Sequence, residues 1–592
     1  MRDGRAEQRV HHCAIRLSAR QPISKLMEFG VAANGLHRIT AHLTRRRRGE
    51  VVPVSTIDEY GSTVNGGESK SHEVSYGSAG CEKHDPDRGR VTINHLAVDH
   101  LYASLNQDEP DKTRCMRSTT TDADVIIVGC GPVGVMAALR SAQRGLSVIA
   151  LDRDPDLYPF PRAIGMDDEV QRLFQNAGLT DQLQEWSTRI TGAEFLDANG
   201  VRVVGMELPP DFRGPSGHYP MISFDQPSVE RFLRAAAIKA GVDVRLGVEV
   251  TAVTSDQPTS DASVTLADGS ILRARWVIGA DGASSTVRRL IGVTLDDHGF
   301  DEPWLVVDTT KLDPGLALSP LAQQHCNPER VVTVVPGHDT RRRWEFQLRE
   351  GETREEMLEP NRIAELLKPW GTPDQLHVDR AAVYRFHAAV ADTFRRGNVF
   401  LVGDAAHQMP PFNGQGMCTG MRDADNLTWK LAHVANGLAG DALLDTYDSE
   451  RRPHAAGQVE HSADAGRLIN AIAEGGAHSY ESGYGGGRSF PHLEAGLVDG
   501  SHPRTGHPFP QPLVDGTLFD ERLGDGWALV GATTPVLGLW ATIGARAVAT
   551  DPDAFPGLLD DGVVIIVRPD RYVAAVTTDL DMTTERLFAN LR

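Results

Sequence analysis

The chain is 592 residues long, with 40% hydrophobic, 24% charged and 6% aromatic residues, the balance of a soluble globular protein long enough for two or three domains. Its formal net charge of −20 argues against a nucleic-acid partner, because phosphate binding requires a basic face. No uninterrupted apolar run approaches the roughly 18 residues of a membrane span. The cysteines, Cys13, Cys81, Cys115, Cys130, Cys326 and Cys418, form neither a C-x-x-C pair nor a metal-ligand spacing, so a reducing, cytoplasmic setting and no metal site are expected.

Residues 1–120 carry no sustained periodicity. The stretch RRRRGEVVPVSTIDEYGSTVNGGESKSHEVSYGSAG is polar and rich in glycine and serine, too poor in apolar spacing to offset its ordering entropy. A disordered extension or a mis-assigned start is expected there, with Met116 as a natural beginning. The Arg-rich, acid-poor residues 1–48 leave a targeting peptide as the alternative.

The first chemical motif lies in DADVIIVGCGPVGVMAALRSAQRGLSVIALDRD. Val125 to Val128 form a continuous apolar run, as a buried parallel strand requires. Gly129-Cys130-Gly131-Pro132-Val133-Gly134 then reads as G-x-G-x-x-G, opening a helix over about 132–143, and a second strand, Ser147 to Leu151, ends at Asp152 and Arg153. Gly129 permits the tight turn, Gly131 lets a pyrophosphate approach the backbone, and Gly134 lets helix and strand pack closely. The helix N-terminus offers free N–H groups to that pyrophosphate, and Asp152 can accept from ribose hydroxyls. This predicts dinucleotide binding but leaves FAD and NAD both open.

Two further strand ends carry acids. In ARWVIGADGASSTVRRLIGV a strand runs into Asp281-Gly282, with Ser285 and Arg288 at D-G-x-x-S-x-x-R spacing. In VFLVGDAAHQMPPFNGQGM another ends at Gly403-Asp404, followed by Pro410, Pro411, Gly414, Gln415, Gly416 and Met417. His407 stands open between a structural and a site role, and a lone histidine makes no metal site.

These three segments together resemble the flavoprotein aromatic hydroxylases, the p-hydroxybenzoate hydroxylase-like FAD monooxygenases, over about residues 122–470. The resemblance implies that the glycine loop holds the ADP half of FAD, that Asp281 and Gly282 lie near the FAD and nicotinamide pyrophosphates, and that Asp404 bonds the ribityl chain. Pro410 and Pro411 would fix a rigid loop beside the flavin ring. Gly414 to Met417 would bring N–H groups and a helix N-terminus to the flavin edge that is anionic when reduced. Local strings such as YPFPRAIGMDDEVQRLFQNAGL, RRRWEFQLREGETREEMLEP and DALLDTYDSERRPHA resemble the 3-(3-hydroxyphenyl)propionate hydroxylase branch. By that resemblance Arg162 lies near the isoalloxazine and Gln226 contacts the FAD phosphate–ribityl region.

The implied fold is α/β. A Rossmann-like FAD-binding domain is assembled from about 122–190, 270–300 and 395–475, within a 121–475 monooxygenase unit. An inserted, mostly antiparallel substrate sheet comes from about 191–269 and 301–394, with strands expected in VDVRLGVEVTAVTS. A linker over 476–507 leads to a C-terminal thioredoxin-like domain, 508–592, which has no C-x-x-C.

The implied activity is hydroxylation of a phenolic aromatic substrate through a flavin C4a-hydroperoxide, with NADH or NADPH as a transient co-substrate and O2 as oxidant. The substrate is 3-(3-hydroxyphenyl)propionate-like, in aromatic catabolism. A polyketide- or antibiotic-tailoring hydroxylase, a flavin dehydrogenase that does not activate O2, and a non-enzymatic relative of GDP-dissociation inhibitors are the alternatives, and a homodimer is left open. His218, Tyr219, Tyr384 and Pro410 are candidates near the substrate. Arg213, Arg343 and Arg385 could meet a substrate carboxylate.

Overall fold

The computed structural model describes residues 121–255, 261–475, 491–500 and 502–591, together with four strands of the first 114 residues. The chain divides into two units, Met1–Arg114 and Cys115–Arg592. In the first, Thr40–Arg47 pairs antiparallel with Glu50–Asp58, and His72–Val74 with Val91–Ile93. The rest of the expected extension, and most of the expected linker, lies outside the described residues.

The second unit is built on a sheet whose central strands are parallel. Asp243–Leu246, Val148–Asp152, Ala123–Val128, Ile271–Gly279 and Val399–Leu401 lie side by side in that order. Val125, Ile126 and Ile127 are fully buried, as a strand covered on both faces must be. Helices Pro132–Gln143, Gln226–Lys239 and Gly416–Ala435 pack over it. All five strands end at one edge, so Gly129, Asp152, Asp281 and Asp404 arrive together where open α/β sheets bind ligands.

The second sheet runs Arg202–Glu207, Gly192–Leu196, Ala322–His325, Val332–Pro336, Arg341–Gln347, Leu295–Lys311, Leu376–Ala391, His407–Gln408. Every neighbouring pair is antiparallel except Gly192–Leu196 with Ala322–His325. The expected boundaries require correction: Met221–Phe224, inside the expected insert, pairs in a separate sheet with Gly165–Asp167 and Ser187–Arg189. Residues 243–266, assigned to this sheet from their alternation, belong to the cofactor sheet: Asp243–Leu246 pairs parallel with Val148–Asp152, and Val250–Thr254 with Ala262–Leu266. The helix Gln226–Lys239 before them acts as a crossover and returns the chain parallel; alternation reports a half-buried strand but not which sheet receives it.

The C-terminal segment forms a mixed four-stranded sheet, Arg546–Ala549, Ala528–Gly531, Val564–Val567, Val573–Thr577, closed by helix Leu580–Leu591. This is consistent with the thioredoxin-like expectation. It is fastened to helix Gly416–Ala435 by buried charge. Glu450 accepts from Lys430 (2.7 Å), Arg568 (2.7 Å) and Asn426 (2.8 Å), and Asp570 accepts from Asn426 (2.9 Å) and the Trp429 indole (3.1 Å). Burial opposes ionisation of Glu450, but Arg568 and Lys430 more than offset it and hold its carboxyl well below the usual range. Removing one partner of a buried pair leaves the others uncompensated. Glu450→Gln is therefore expected to lower unfolding free energy by about 3–5 kcal/mol, read from denaturant melts; a change within experimental error would mean the cluster contributes nothing.

Candidate FAD and substrate site

The glycine loop fits the role read from its spacing. Gly129 has φ +106°, and a Cβ there would lie 2.3 Å from the Ala280 carbonyl oxygen; a Cβ on Gly134 would lie 2.0 Å from the Gly129 carbonyl oxygen. Both glycines are thus required by the protein's own backbone. Gly131 differs: a Cβ there would meet no protein atom within 4 Å, so its lack of a side chain serves the approach of something else. Gly131 is also the N-cap of the helix Pro132–Gln143 and caps it with no side chain, which leaves the first N–H groups to an anion. Asp152 accepts from the Cys130 N–H (2.6 Å) and the Asp154 N–H (2.9 Å), bracing the loop. Arg153 beside it is exposed.

Asp281 is engaged by its own backbone neighbours. Its carboxylate accepts from Ser285 Oγ (2.5 Å) and from the N–H groups of Thr286 (2.7 Å) and Val287 (3.0 Å), capping the short helix Thr286–Leu290. Gly282 beside it has φ +76°, and a Cβ there would meet no protein atom within 4 Å. Arg288 then links the two acid motifs, donating to the carbonyls of Ala283 (2.8 Å) and Ala405 (2.9 Å).

Asp404 is exposed while Gly403, Ala405, Ala406 and His407 around it are buried. Its carboxylate makes no hydrogen bond or salt bridge with a described residue. It opens onto the cleft with protein packed round its base; burial pushes its pKa up, and His407 and Arg162 pull it down. A carboxylate placed so, at the end of a buried strand, fits an acceptor for ribityl hydroxyls. The turn carrying it is held from behind by Asp423, which accepts from the Gly403 N–H (3.1 Å), pairs with His407 Nε2 (2.7 Å) and accepts from Arg451 Nε (2.9 Å). His407 is therefore structural.

The loop after it closes the site. Pro410 is buried and precedes the 3-10 turn Pro411–Asn413, Gly414 caps that turn at φ +65°, and helix Gly416–Ala435 follows without a side-chain N-cap. Met417, half-buried, stands in its first turn. Gln415 accepts from Arg422 (3.2 Å), and Arg422 also donates to Glu169 (2.7 Å) and Asp167 (2.6 Å). Glu169 accepts in turn from the Tyr572 hydroxyl (2.8 Å) of the C-terminal sheet. Val133 and Gly420 bring the two helices together: a Cβ on Gly420 would lie 2.7 Å from Val133 and 2.8 Å from Gly403.

Gln226 braces the Arg162 loop, its Oε1 accepting from the N–H groups of Arg162 (2.8 Å) and Ala163 (2.6 Å). Arg162 is exposed, stacked 4.9 Å over Tyr158, and its charge reaches Asp404. Phe412 packs against Trp304 (5.3 Å), Phe300 (5.8 Å) and Phe386 (6.2 Å), joining the loop to an aromatic wall on the substrate sheet. Tyr384 lies directly opposite Trp304, hence on the same sheet face, and its oxygen accepts from Arg380.

The other substrate candidates separate from this group. His218 Nε2 bonds Gln175 Oε1 at 2.8 Å; burial, helped by Arg172 and Arg213 against Asp520, pushes its pKa down from 6.5 to about 4. The ring is half-buried and its Nε2 is engaged by Gln175. Tyr219 lies under Arg213 (3.8 Å) and Arg189 (5.0 Å). Arg343 is committed to Asp308 and the Pro161 and Arg162 carbonyls, and Arg385 to Asp301, so neither is free for a substrate carboxylate. Asp423, Arg422, Gly420 and Arg380 were not singled out from sequence. For the first three the signal available was the charged run Arg422-Asp423-Ala424-Asp425 inside the helix that opens at Gly416, with glycines four apart at 416 and 420. Among the described residues no cluster of His, Cys, Asp or Glu could hold a metal.

Two outcomes follow from this geometry. Asp404→Ala is expected to fold and to purify with less FAD, since a lost bond to a charged acceptor costs roughly 1.5–3 kcal/mol, about ten- to a hundredfold in affinity; wild-type occupancy at limiting FAD would refute the assignment. A histidine whose folded pKa lies below its unfolded value stabilises fully above pH 6.5 and loses that contribution as pH falls towards 4. His218→Gln is therefore expected to flatten the stability–pH curve in that window, and no flattening would contradict a ring held neutral.

The site can be set beside known proteins. Residues 122–462 match the FAD binding domain family. The chain is 34% identical over 520 residues to a 3-(3-hydroxy-phenyl)propionate/3-hydroxycinnamic acid hydroxylase of Mycobacterium sp. (strain JLS), covering 77% of this chain and 89% of that one. It is 32% identical over 498 residues to a protein of Rhodococcus jostii (strain RHA1) named "Probable NADH-specific resorcinol 4-hydroxylase", covering 77% and 92%. Among solved structures it is similar to aklavinone-11 hydroxylase in a ternary complex with FAD and aklavinone, with a TM-score of 0.68 and 25% identity over 80% of this chain and 99% of that chain. No described helix is long and apolar enough to cross a membrane. Motifs, fold and relatives agree: this chain belongs to the FAD-dependent aromatic hydroxylases, flavoprotein monooxygenases with the FAD binding domain.

Proposed function

We propose that this enzyme hydroxylates the ring of a phenolic acid of the 3-(3-hydroxyphenyl)propionate kind, using NADH and O2 in the cytoplasm. The observation that carries the reading is the continuity of the 410–417 loop with the aromatic wall through Phe412. The loop that closes the cofactor site also borders the only wall of the site rich in aromatic faces among the described residues, so a substrate ring stacked there lies beside the flavin. Similarity to the Mycobacterium hydroxylase over 77% of the chain supports the substrate class, and the Rhodococcus relative supports NADH.

Bound FAD supplies the reduction by NADH and the activation of O2. The chain supplies the rest. Gly131 and the uncapped helix at Pro132 would hold the pyrophosphate, Asp404 would hold the ribityl chain, and the Gly416 helix N-terminus would favour negative charge at the ring edge. Phe386 and Phe412, half-buried against the fully buried Trp304, would orient the substrate and exclude water. Tyr384 is the group best placed for the phenolic proton. Because its oxygen accepts from Arg380, its O–H is left to donate to a substrate oxygen, the position from which a proton can be relayed.

The test follows NADH, O2 and hydrogen peroxide together across a panel of phenols that includes 3-(3-hydroxyphenyl)propionate and a polycyclic phenol. A fitting substrate is expected to accelerate NADH oxidation greatly, to consume O2 and NADH in equal amounts, and to leave little peroxide. A poorly fitting ring should divert the oxygen to peroxide. If no phenol alters the NADH rate, the hydroxylase reading of this site fails. Preference for the polycyclic phenol would move the substrate class towards that of the aklavinone enzyme.

A further inference from the structure

The pairing register of the substrate sheet sorts its side chains into rows, because directly opposed residues lie on one face. Trp304 faces Gln347 and Tyr384, Val306 faces Glu345 and Ala382, and Asp308 faces Arg343 and Arg380. The residues between them, Leu305, Val307, Trp344 and Phe346, point to the other side and pack on Met357 and Ile363. The first face is the one that meets the two loops of the cofactor site. Its Arg343 and Arg380 hold the Pro161 and Arg162 carbonyls, and its Trp304 and Phe386 pack on Phe412. Between these contacts lies the row Thr333, Glu345, Val306, Ala382.

Glu345 is the carboxyl of that middle row. It is 4% exposed and accepts no hydrogen bond from a described residue; Arg343 and Asp308 act on it only through space. Its neighbours Val306 and Ala382 are apolar, and the Thr333 hydroxyl donates to Gln324 (2.6 Å). The nearby guanidiniums are engaged elsewhere, Arg343 and Arg380 both on Asp308 (2.7 and 2.9 Å). The other carboxyl of this face, Glu302, is also engaged, by the Trp304 indole (3.0 Å), Gln347 (2.9 Å) and Asn470 (3.0 Å). A buried carboxyl with no donor costs stability, and is accounted for if a ligand brings the donor. Burial, with Asp308 and against Arg343, pushes the Glu345 pKa up to about 7, where a proton acceptor works best near neutral pH. The charged and titratable groups around it are Arg343 on its own strand, Glu302 and Asp308 on the next, Arg380 and Tyr384 on the one beyond, and Arg162 on the loop packed against this face.

We propose that Glu345 is the catalytic residue that accepts the phenolic proton of the substrate. The proposal rests on the hydroxylase reading of the site. The strands of Tyr384 and Glu345 are two apart, about 10 Å, so a ring leaning on Phe386 and Phe412 with its hydroxyl over Val306 and Ala382 lies between them. Tyr384, its oxygen engaged by Arg380, donates to the substrate oxygen. The phenol O–H bond breaks and an O–H bond forms on the Glu345 carboxylate, leaving the electron-rich ring that takes up oxygen. When the ring becomes aromatic again its C–H proton leaves, and Glu345 returns its own proton to the product oxygen.

The experiment compares wild type, Glu345→Gln and Glu345→Asp as FAD-loaded full chains, with 3-(3-hydroxyphenyl)propionate as substrate. Wild-type kcat/KM for the phenol is expected to fall as pH drops below about 7, where Glu345 becomes protonated. Glu345→Gln should lose that limb, hydroxylate about a hundredfold more slowly at pH 8 and divert oxygen to peroxide, while FAD content and the KM for NADH stay as in wild type. Glu345→Asp should recover part of the rate. Stability gives a second readout. A carboxyl whose folded pKa is raised contributes fully below its unfolded value of 4.5 and loses that contribution as pH rises through about 7, so Glu345→Gln should melt no lower than wild type at pH 8. The proposal is overturned if Glu345→Gln hydroxylates at the wild-type rate or keeps the limb near pH 7. It is equally overturned if the variant loses FAD and melts lower at pH 8, the signature of a structural group. Any of these results with an active wild type removes Glu345 alone; if wild type hydroxylates no phenol, the hydroxylase reading fails and the proposal falls with it.

Discussion

Asp423 is a fully buried carboxylate in the middle of a helix, and it holds the Gly403 N–H, the His407 ring and the Arg451 guanidinium at once. Burying a charge is costly unless it is paired and bonded on all sides. Burial opposes its ionisation, but His407 and Arg451 prevail and keep Asp423 below the usual carboxylate range. The strand end at Val402, the helix Gly416–Ala435 and the helix Ala442–Ala473 are thereby locked at one point. With the backbone of the turn fixed from behind, Asp404 has only the cleft to face.

The same helix connects the flavin loop to the C-terminal domain. Gln415 at its start is bonded to Arg422, then to Glu169, then to Tyr572; Asn426, Trp429 and Lys430 further along reach Asp570 and Glu450. Residues 508–592 contain no cysteine, so this domain performs no thiol chemistry. It buttresses the helix Gly416–Ala435 that follows the 410–416 loop, and precision at that N-terminus would matter to a flavin edge held there, because donors aimed at developing charge act only when preorganised.

Much of this was legible in the chain. Gly129, Gly131 and Gly134 identify a tight turn, a ligand approach and a close helix–strand contact; the structure shows the first and third constraints at Gly129 and Gly134 and open space at Gly131. The strand-terminal acids at 152, 281 and 404 could be found because an acid after an apolar run breaks a pattern. Their partners could not. Asp281 turns to its own backbone, a choice between local capping and ligand contact that spacing does not express. Asp423 and Arg422 owe their importance to residues far along the chain, and the sheet that received Asp243–Leu246 was decided by a crossover helix rather than by alternation. His218 stood as a candidate near the substrate by residue type; its neighbours Gln175, Arg172 and Arg213 favour its neutral form.

The most direct measurement of the central claim is a crystal structure of the FAD-loaded protein. The account predicts a ribityl hydroxyl within about 2.6–3.0 Å of the Asp404 carboxylate, the pyrophosphate against the Gly131 N–H groups, and the Asp423–His407–Arg451 contacts unchanged. A flavin bound with Asp404 still facing solvent, or a Gly403 turn that had to be rebuilt to admit it, would contradict the claim that this buried carboxylate prearranges the site.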